Sequence, residues 1–117
     1  MSAELFGDYP VLSASSIDGQ PAGTLVKAGL SCIYDYYFYN TGSVPVYVKL
    51  YDIGTTPDET STPLRVYAVG SNQGANLNTS FGILFSTGLA YRVSTGVAND
   101  DTGAPDANTV TLNIGYR

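Results

Sequence analysis

The stretch Val44-Pro45-Val46-Tyr47-Val48-Lys49-Leu50-Tyr51 decides the fold class. In an extended chain successive side chains point to opposite sides. Val44, Val46, Val48 and Leu50 therefore share one face, and Tyr47, Lys49 and Tyr51 share the other. An aliphatic row of period two, backed by aromatic and charged residues, is the pattern of a half-buried β-strand. The segment from Thr109 to Tyr116 repeats it: Val110, Leu112, Ile114 and Tyr116 point inward, and Thr109, Thr111, Asn113 and Gly115 point outward.

Shorter runs extend the pattern. Leu64, Val66 and Ala68 alternate with Arg65, Tyr67 and Val69; Phe81, Ile83 and Phe85 line one face; Leu89, Tyr91 and Val93 alternate with Ala90 and Arg92. Cys32 to Tyr39 is apolar or aromatic on both faces apart from Asp35, which predicts a strand covered on both sides. Thr24 to Lys27 reads as a short strand, and Asn40-Thr41-Gly42-Ser43 as a turn closing a hairpin between two strong strands. Thirteen glycines and six prolines separate these runs, and no stripe of helical period appears. About seven or eight short strands with regular turn signals predict an all-β, antiparallel two-sheet sandwich, jelly-roll-like or immunoglobulin-like. The domain is expected over residues 23–117. Residues 1–22, rich in Gly, Pro and Ser and without strong alternation, read as an extended arm ordered only by a partner or by the domain flank.

Composition removes most chemistry. The 117-residue chain has ten Asp/Glu, five Lys/Arg, no histidine, one cysteine and a formal charge of −5. A single domain of this size buries roughly two-thirds of its unfolded surface. Without histidine there is no His-based triad, no His-ligated zinc and no side-chain proton switch near neutral pH. Cys32 has no partner for a disulfide or a metal pair, and without an activating histidine it reads as a small packed hydrophobe. An acidic chain without a Lys/Arg run is a poor match for nucleic acid. The first residues, Met1 to Asp8, lack the basic and apolar regions of an export signal, and glycines and asparagines interrupt the uncharged stretch from Val66 to Tyr91, so no membrane span is expected. No cofactor is expected.

Three local clusters carry candidate chemistry. Asn99-Asp100-Asp101-Thr102-Gly103 with Asp106 concentrates oxygen ligands, which makes Asp100, Asp101 and Asp106 weak candidates for a hard cation, against the reading that they build turns. Asp58-Glu59 lies in a Thr/Pro-rich loop and reads as solvated. Asn78-Thr79-Ser80 matches the glycosylation sequon, which carries little weight without an export signal. A hydrolase using carboxylates alone would need two of Asp35, Asp52, Asp100 and Asp106 in one cleft.

Tyrosine is the most informative residue type, with ten copies. Tyr37, Tyr39, Tyr47, Tyr51 and Tyr67 are expected on faces opposite the aliphatic rows, where a ring with one dry and one wet end suits an interface. Covering by other subunits, covering by loops of the same chain, and stacking against sugars all remain open.

The succession Asn40-Thr41, Tyr47-Val48-Lys49-Leu50-Tyr51, Thr62-Pro63-Leu64, Gly82-Ile83-Leu84-Phe85-Ser86-Thr87-Gly88-Leu89-Ala90-Tyr91, Thr95-Gly96-Val97-Ala98-Asn99-Asp100-Asp101-Thr102 and Asn113-Ile114-Gly115-Tyr116-Arg117 resembles small virion proteins of tailed bacteriophages. The resemblance spans Thr24 to Arg117 and leaves the Tyr34–Tyr39 strand and the N-terminal arm unmatched. It implies a non-catalytic β-sandwich that decorates or cements the capsid as a homotrimer, with itself and the major capsid protein or another virion protein as partners. An arm that adds a strand to a shell protein's sheet edge would suit that role. The alternative is a tail- or fibre-associated module recognising glycans or a host surface protein. A solvent-facing aromatic strip with nearby Asn and Asp would favour this alternative.

Overall fold

The computed structural model describes residues 11–14 and 23–117, with side chains described for 23–78 and 81–117. Eight strands and no helix occupy these residues: β1 Val11–Ala14, β2 Thr24–Ala28, β3 Ser31–Asn40, β4 Val46–Tyr51, β5 Arg65–Val69, β6 Gln73–Phe85, β7 Gly88–Ser94 and β8 Val110–Tyr116. They form two four-stranded antiparallel sheets, A in the order β1-β8-β3-β6 and B in the order β2-β7-β4-β5. Strand β1 pairs with β8, β2 with β7, β3 with β6 and β4 with β5. This is one long antiparallel ribbon, with its tip between β4 and β5, rolled so that successive pairs fall alternately in the two sheets. The result is a jelly roll, so the choice left open between jelly-roll and immunoglobulin topology falls to the former.

The core lies between the sheets. Ile33, Phe38, Phe85, Leu112 and Ile114 of sheet A meet Val48, Leu50, Leu89, Tyr91 and Val93 of sheet B. Strands β4 and β8 bury the predicted aliphatic rows from Val46 to Leu50 and from Val110 to Ile114, while Val44 lies outside β4 and is exposed. Tyr36 stacks on Phe38 with ring centroids 4.4 Å apart, and Tyr67 tilts against both. Burial, with Tyr67 as the next cause, pushes the Tyr36 phenol up to about 12.

Strand β3 departs from the sequence expectation for a geometric reason. Its register against both β6 and β8 shifts between Ile33 and Asp35. A bulge reverses which parity points inward, so Ser31 and Ile33 are buried before it, and Tyr36, Phe38 and Asn40 after it. The run looks apolar on both faces because its inward set changes parity. Its second face is not fully covered, since Tyr37 is exposed.

The predicted hairpin at residues 40–43 is corrected. Strands β3 and β4 belong to different sheets, so this segment crosses the sandwich. Asn40, fully buried, fastens the crossing: its Nδ2 donates to the carbonyls of Val44, Val69 and Gly70, and its Oδ1 accepts from the Gly42 amide. In β6 the expected row Phe81, Ile83 and Phe85 is also broken. Gly82 has φ +83°, and Phe81 is exposed while Ile83 packs against the core and Phe85 is buried. A Cβ at Gly82 would collide with Cys32 Sγ, which makes glycine a requirement there.

Of the predicted N-terminal arm, Val11–Ala14 is a strand of sheet A paired to β8, so the chain's own domain flank takes this part. Residues 1–10 and 15–22 of that arm lie outside the described residues. Among the described residues no helix is long and apolar enough to cross a membrane.

Candidate functional site

Each sheet has one face on the core and one facing away, and the two outer faces differ. Pairing of Tyr47 with Ser94, Lys49 with Arg92 and Tyr51 with Ala90 puts all six residues on the outer face of sheet B. A loop from 95 to 103 lies over it. Lys49, completely buried, donates from Nζ to the Ala98 carbonyl at 2.5 Å. Arg92 donates from Nη1 to the Asn99 carbonyl and to Tyr51 Oη, both at 3.2 Å, and from Nη2 to the Asp101 carbonyl at 2.8 Å. Two adjacent buried cations thus hold the loop by its backbone oxygens. Burial pushes the Lys49 ammonium below the ordinary lysine value and neighbouring Arg92 adds to the effect, while Asp101 and Asp100 oppose it.

This arrangement decides two groups of sequence candidates. Tyr51 holds its expected place on the face opposite the aliphatic row, but the chain's own loop buries it completely, so its reading as a subunit-interface residue is corrected. Tyr67 is corrected too: opposite Val48, it points into the sandwich and packs on Tyr36. Tyr47 is half-buried. Asp101 is engaged in turn chemistry, its Oδ1 accepting from the amides of Gly96 at 3.2 Å and Gly103 at 2.8 Å. Asp100 and Asp106 are exposed in the same connection. Among the described residues no group of three or more His, Cys, Asp or Glu side chains is placed to share a metal ion.

Two further carboxylates, Asp52 and Asp58, serve local structure. Asp52, just after β4, accepts from the amides of Thr87 at 2.7 Å, Gly88 at 3.2 Å and Ser86 at 3.1 Å, and from the Ser86 hydroxyl. These donors, Thr87 first, hold its carboxyl below the ordinary value of 3.8. Asp58 accepts from the amide and hydroxyl of Thr60, a short Asx turn in the β4–β5 connection. Asp35 lies at the β3 bulge, opposite Asn78 and Gly115.

The outer face of sheet A carries the other two candidate tyrosines. Tyr37 stands between Asn76 of β6 and Asn113 of β8, and Tyr39 between Gly74 and Thr111. Tyr37 is 42% exposed. A Cβ at Gly74 would meet Tyr39 Cδ2 at 2.9 Å, so the Tyr39 ring lies across β6 on the glycine. Its hydroxyl donates to the carbonyl of Asn72 at 3.2 Å and reaches that residue's Oδ1 at 3.3 Å. The two rings are inclined by 28° with centroids 6.3 Å apart, too far for one to cover the other.

A third feature was not singled out by the sequence reading. At the end of sheet A where β3 begins and β6 finishes, Leu30, Phe81 and Leu84 are 65%, 93% and 63% exposed. Leu84 stands opposite half-buried Cys32, whose thiol is free. Phe81 is expected from its spacing to share a face with Ile83 and Phe85. Only the glycine at position 82 hinted at the bulge that turns it outward.

Compared with protein-family models, curated proteins and solved structures, the chain finds no match in any of the three.

Proposed function

We propose that the chain is a non-catalytic structural protein of a tailed-phage virion, a decoration or cement protein that acts through subunit interfaces. The observation that carries this reading is the exposure of Leu30, Phe81 and Leu84 at one end of sheet A. Large apolar side chains left exposed toward one end of a sheet on a small domain suit an interaction surface. The jelly roll adds a fold-level analogy, since viral capsid domains use it, and the motif order from Thr24 to Arg117 supplies the phage context. The partners under this reading are other copies of the chain, three to an assembly, and the shell protein beneath them. The interface is shifted from the one first expected: Tyr51 and Tyr67 serve the subunit's own packing, and the apolar end of sheet A takes their place.

Native mass spectrometry of the purified chain tests this. A trimer is expected, and Phe81→Ser combined with Leu84→Ser should return monomers whose urea midpoint is within error of the parent. A parent chain that stays monomeric and is missing from purified virions would overturn the proposal.

A further inference from the structure

We infer that the outer face of sheet A around Tyr37 and Tyr39 binds a neutral oligosaccharide, a function beyond the assembly role proposed above. The face combines two kinds of group. Tyr37 and Tyr39 offer two neighbouring rings inclined by 28° to each other, with Tyr39 laid on Gly74 and its hydroxyl tied to Asn72. Asn76 and Asn113 flank Tyr37, and each amide has both donors and an acceptor. A sugar ring has the matching chemistry, with C–H faces that pack on aromatic rings and a rim of hydroxyls that both donate and accept. An apolar protein surface laid here would leave the amides without partners, which is costly.

Charge selects the kind of sugar. The chain's five cations are Lys27, Lys49, Arg65, Arg92 and Arg117. The first four lie in strands of sheet B, and Arg117 follows β8 at the opposite end, bonded through its backbone to Cys32. None of the four strands of sheet A contains a lysine or arginine, and Asp35 is the one charged residue in them. A face of rings and amides without cations, on a chain of net charge −5, suits an uncharged glycan and repels a sulfated, phosphorylated or uronic one. The site is also distinct from the apolar end of the sheet, because Tyr39 and Gly74 lie at the finish of β3 and start of β6, whereas Leu30 and Leu84 lie at the other end.

The test is calorimetric titration of the full chain with linear neutral hexasaccharides of glucose, galactose, mannose and xylose, with hexagalacturonate as the anionic comparison. At least one neutral sugar should bind saturably and the anionic one should not. Tyr37→Ala should weaken binding about tenfold or more and Asn76→Ala less, both with an unchanged urea midpoint, while Val66→Ser on sheet B leaves affinity unchanged. Absence of saturable binding across the neutral panel, preference for the anionic sugar, or full affinity in Tyr37→Ala would overturn the inference. So would dissociation of the oligomer by Tyr37→Ala, which would make this face a subunit contact. Native mass spectrometry reads assembly separately, so the loss of one proposal does not disguise the loss of the other.

Discussion

The two outer faces begin from similar sequence and end in opposite states. Strand β4 presents Tyr47, Lys49 and Tyr51 away from the core, and strand β3 presents Tyr37 and Tyr39. On sheet B the connection from β7 to β8 folds back, and Lys49 and Arg92 hold its carbonyls. On sheet A the Tyr39 hydroxyl reaches only the Asn72 turn at the strand end, and Tyr37 stays 42% exposed. The difference lies in the cations. A buried ammonium or guanidinium needs oxygen partners, and the 95–103 loop supplies them. Neutral phenols and amides carry no charge to neutralise, and water can serve as their partner.

The contrast can be broken most strongly at Arg92. Arg92→Ala removes the donor to two loop carbonyls and to Tyr51, and should destabilise the domain by about 3 kcal/mol in urea unfolding, with the 95–103 amides losing protection from hydrogen exchange. A loss below about 1 kcal/mol would mean that the loop is held by other contacts. Tyr51→Phe is gentler, leaving a buried guanidinium donor without its phenolic acceptor for about 1 kcal/mol. Tyr39→Phe, which deletes an exposed hydroxyl contact, should cost less than about 0.5 kcal/mol. Equal costs for the two phenylalanine substitutions would erase the distinction between the faces.

Acid sharpens the comparison at the joint between the sheets. Asp52 has a folded pKa below its ordinary value, so its contribution to stability is complete above that value and is lost as pH falls through the folded one. Urea midpoints measured downward from pH 5 should fall less steeply in Asp52→Asn than in the parent. Parallel curves would show that the bonds to Ser86, Thr87 and Gly88 add nothing to the pH response. The smallest effect is expected for Tyr37→Ala, within about 0.5 kcal/mol of the parent, because its ring is not part of the core.

Much of the fold was legible in local alternation, and the failures have local causes. Val46, Val48 and Leu50, like Val110, Leu112 and Ile114, were readable because one face of each strand is aliphatic and the other is not. In β5 both faces carry apolar residues, so nothing nearby tells that Tyr67 and Val69 turn inward while Val66 stays out; pairing to β4 decides it. Gln73 to Asn78 shows no aliphatic alternation to announce it, yet it pairs along β3 as a strand. The candidate site was half readable. That Tyr37 and Tyr39 share a face follows from their spacing. That Asn76 and Asn113 stand beside Tyr37 depends on registers between segments far apart in the chain.

The ribbon topology also fixes an order in time. The β4–β5 pair joins segments close in sequence, whereas β1 meets β8 across about a hundred residues. Closing the outermost pair first would cost the most chain entropy, but each inner pair, once formed, brings the next two strands together. The roll is therefore expected to zip outward from its tip. Val11–Ala14 docks last, and once it docks the edge of β8 is no longer available to another chain.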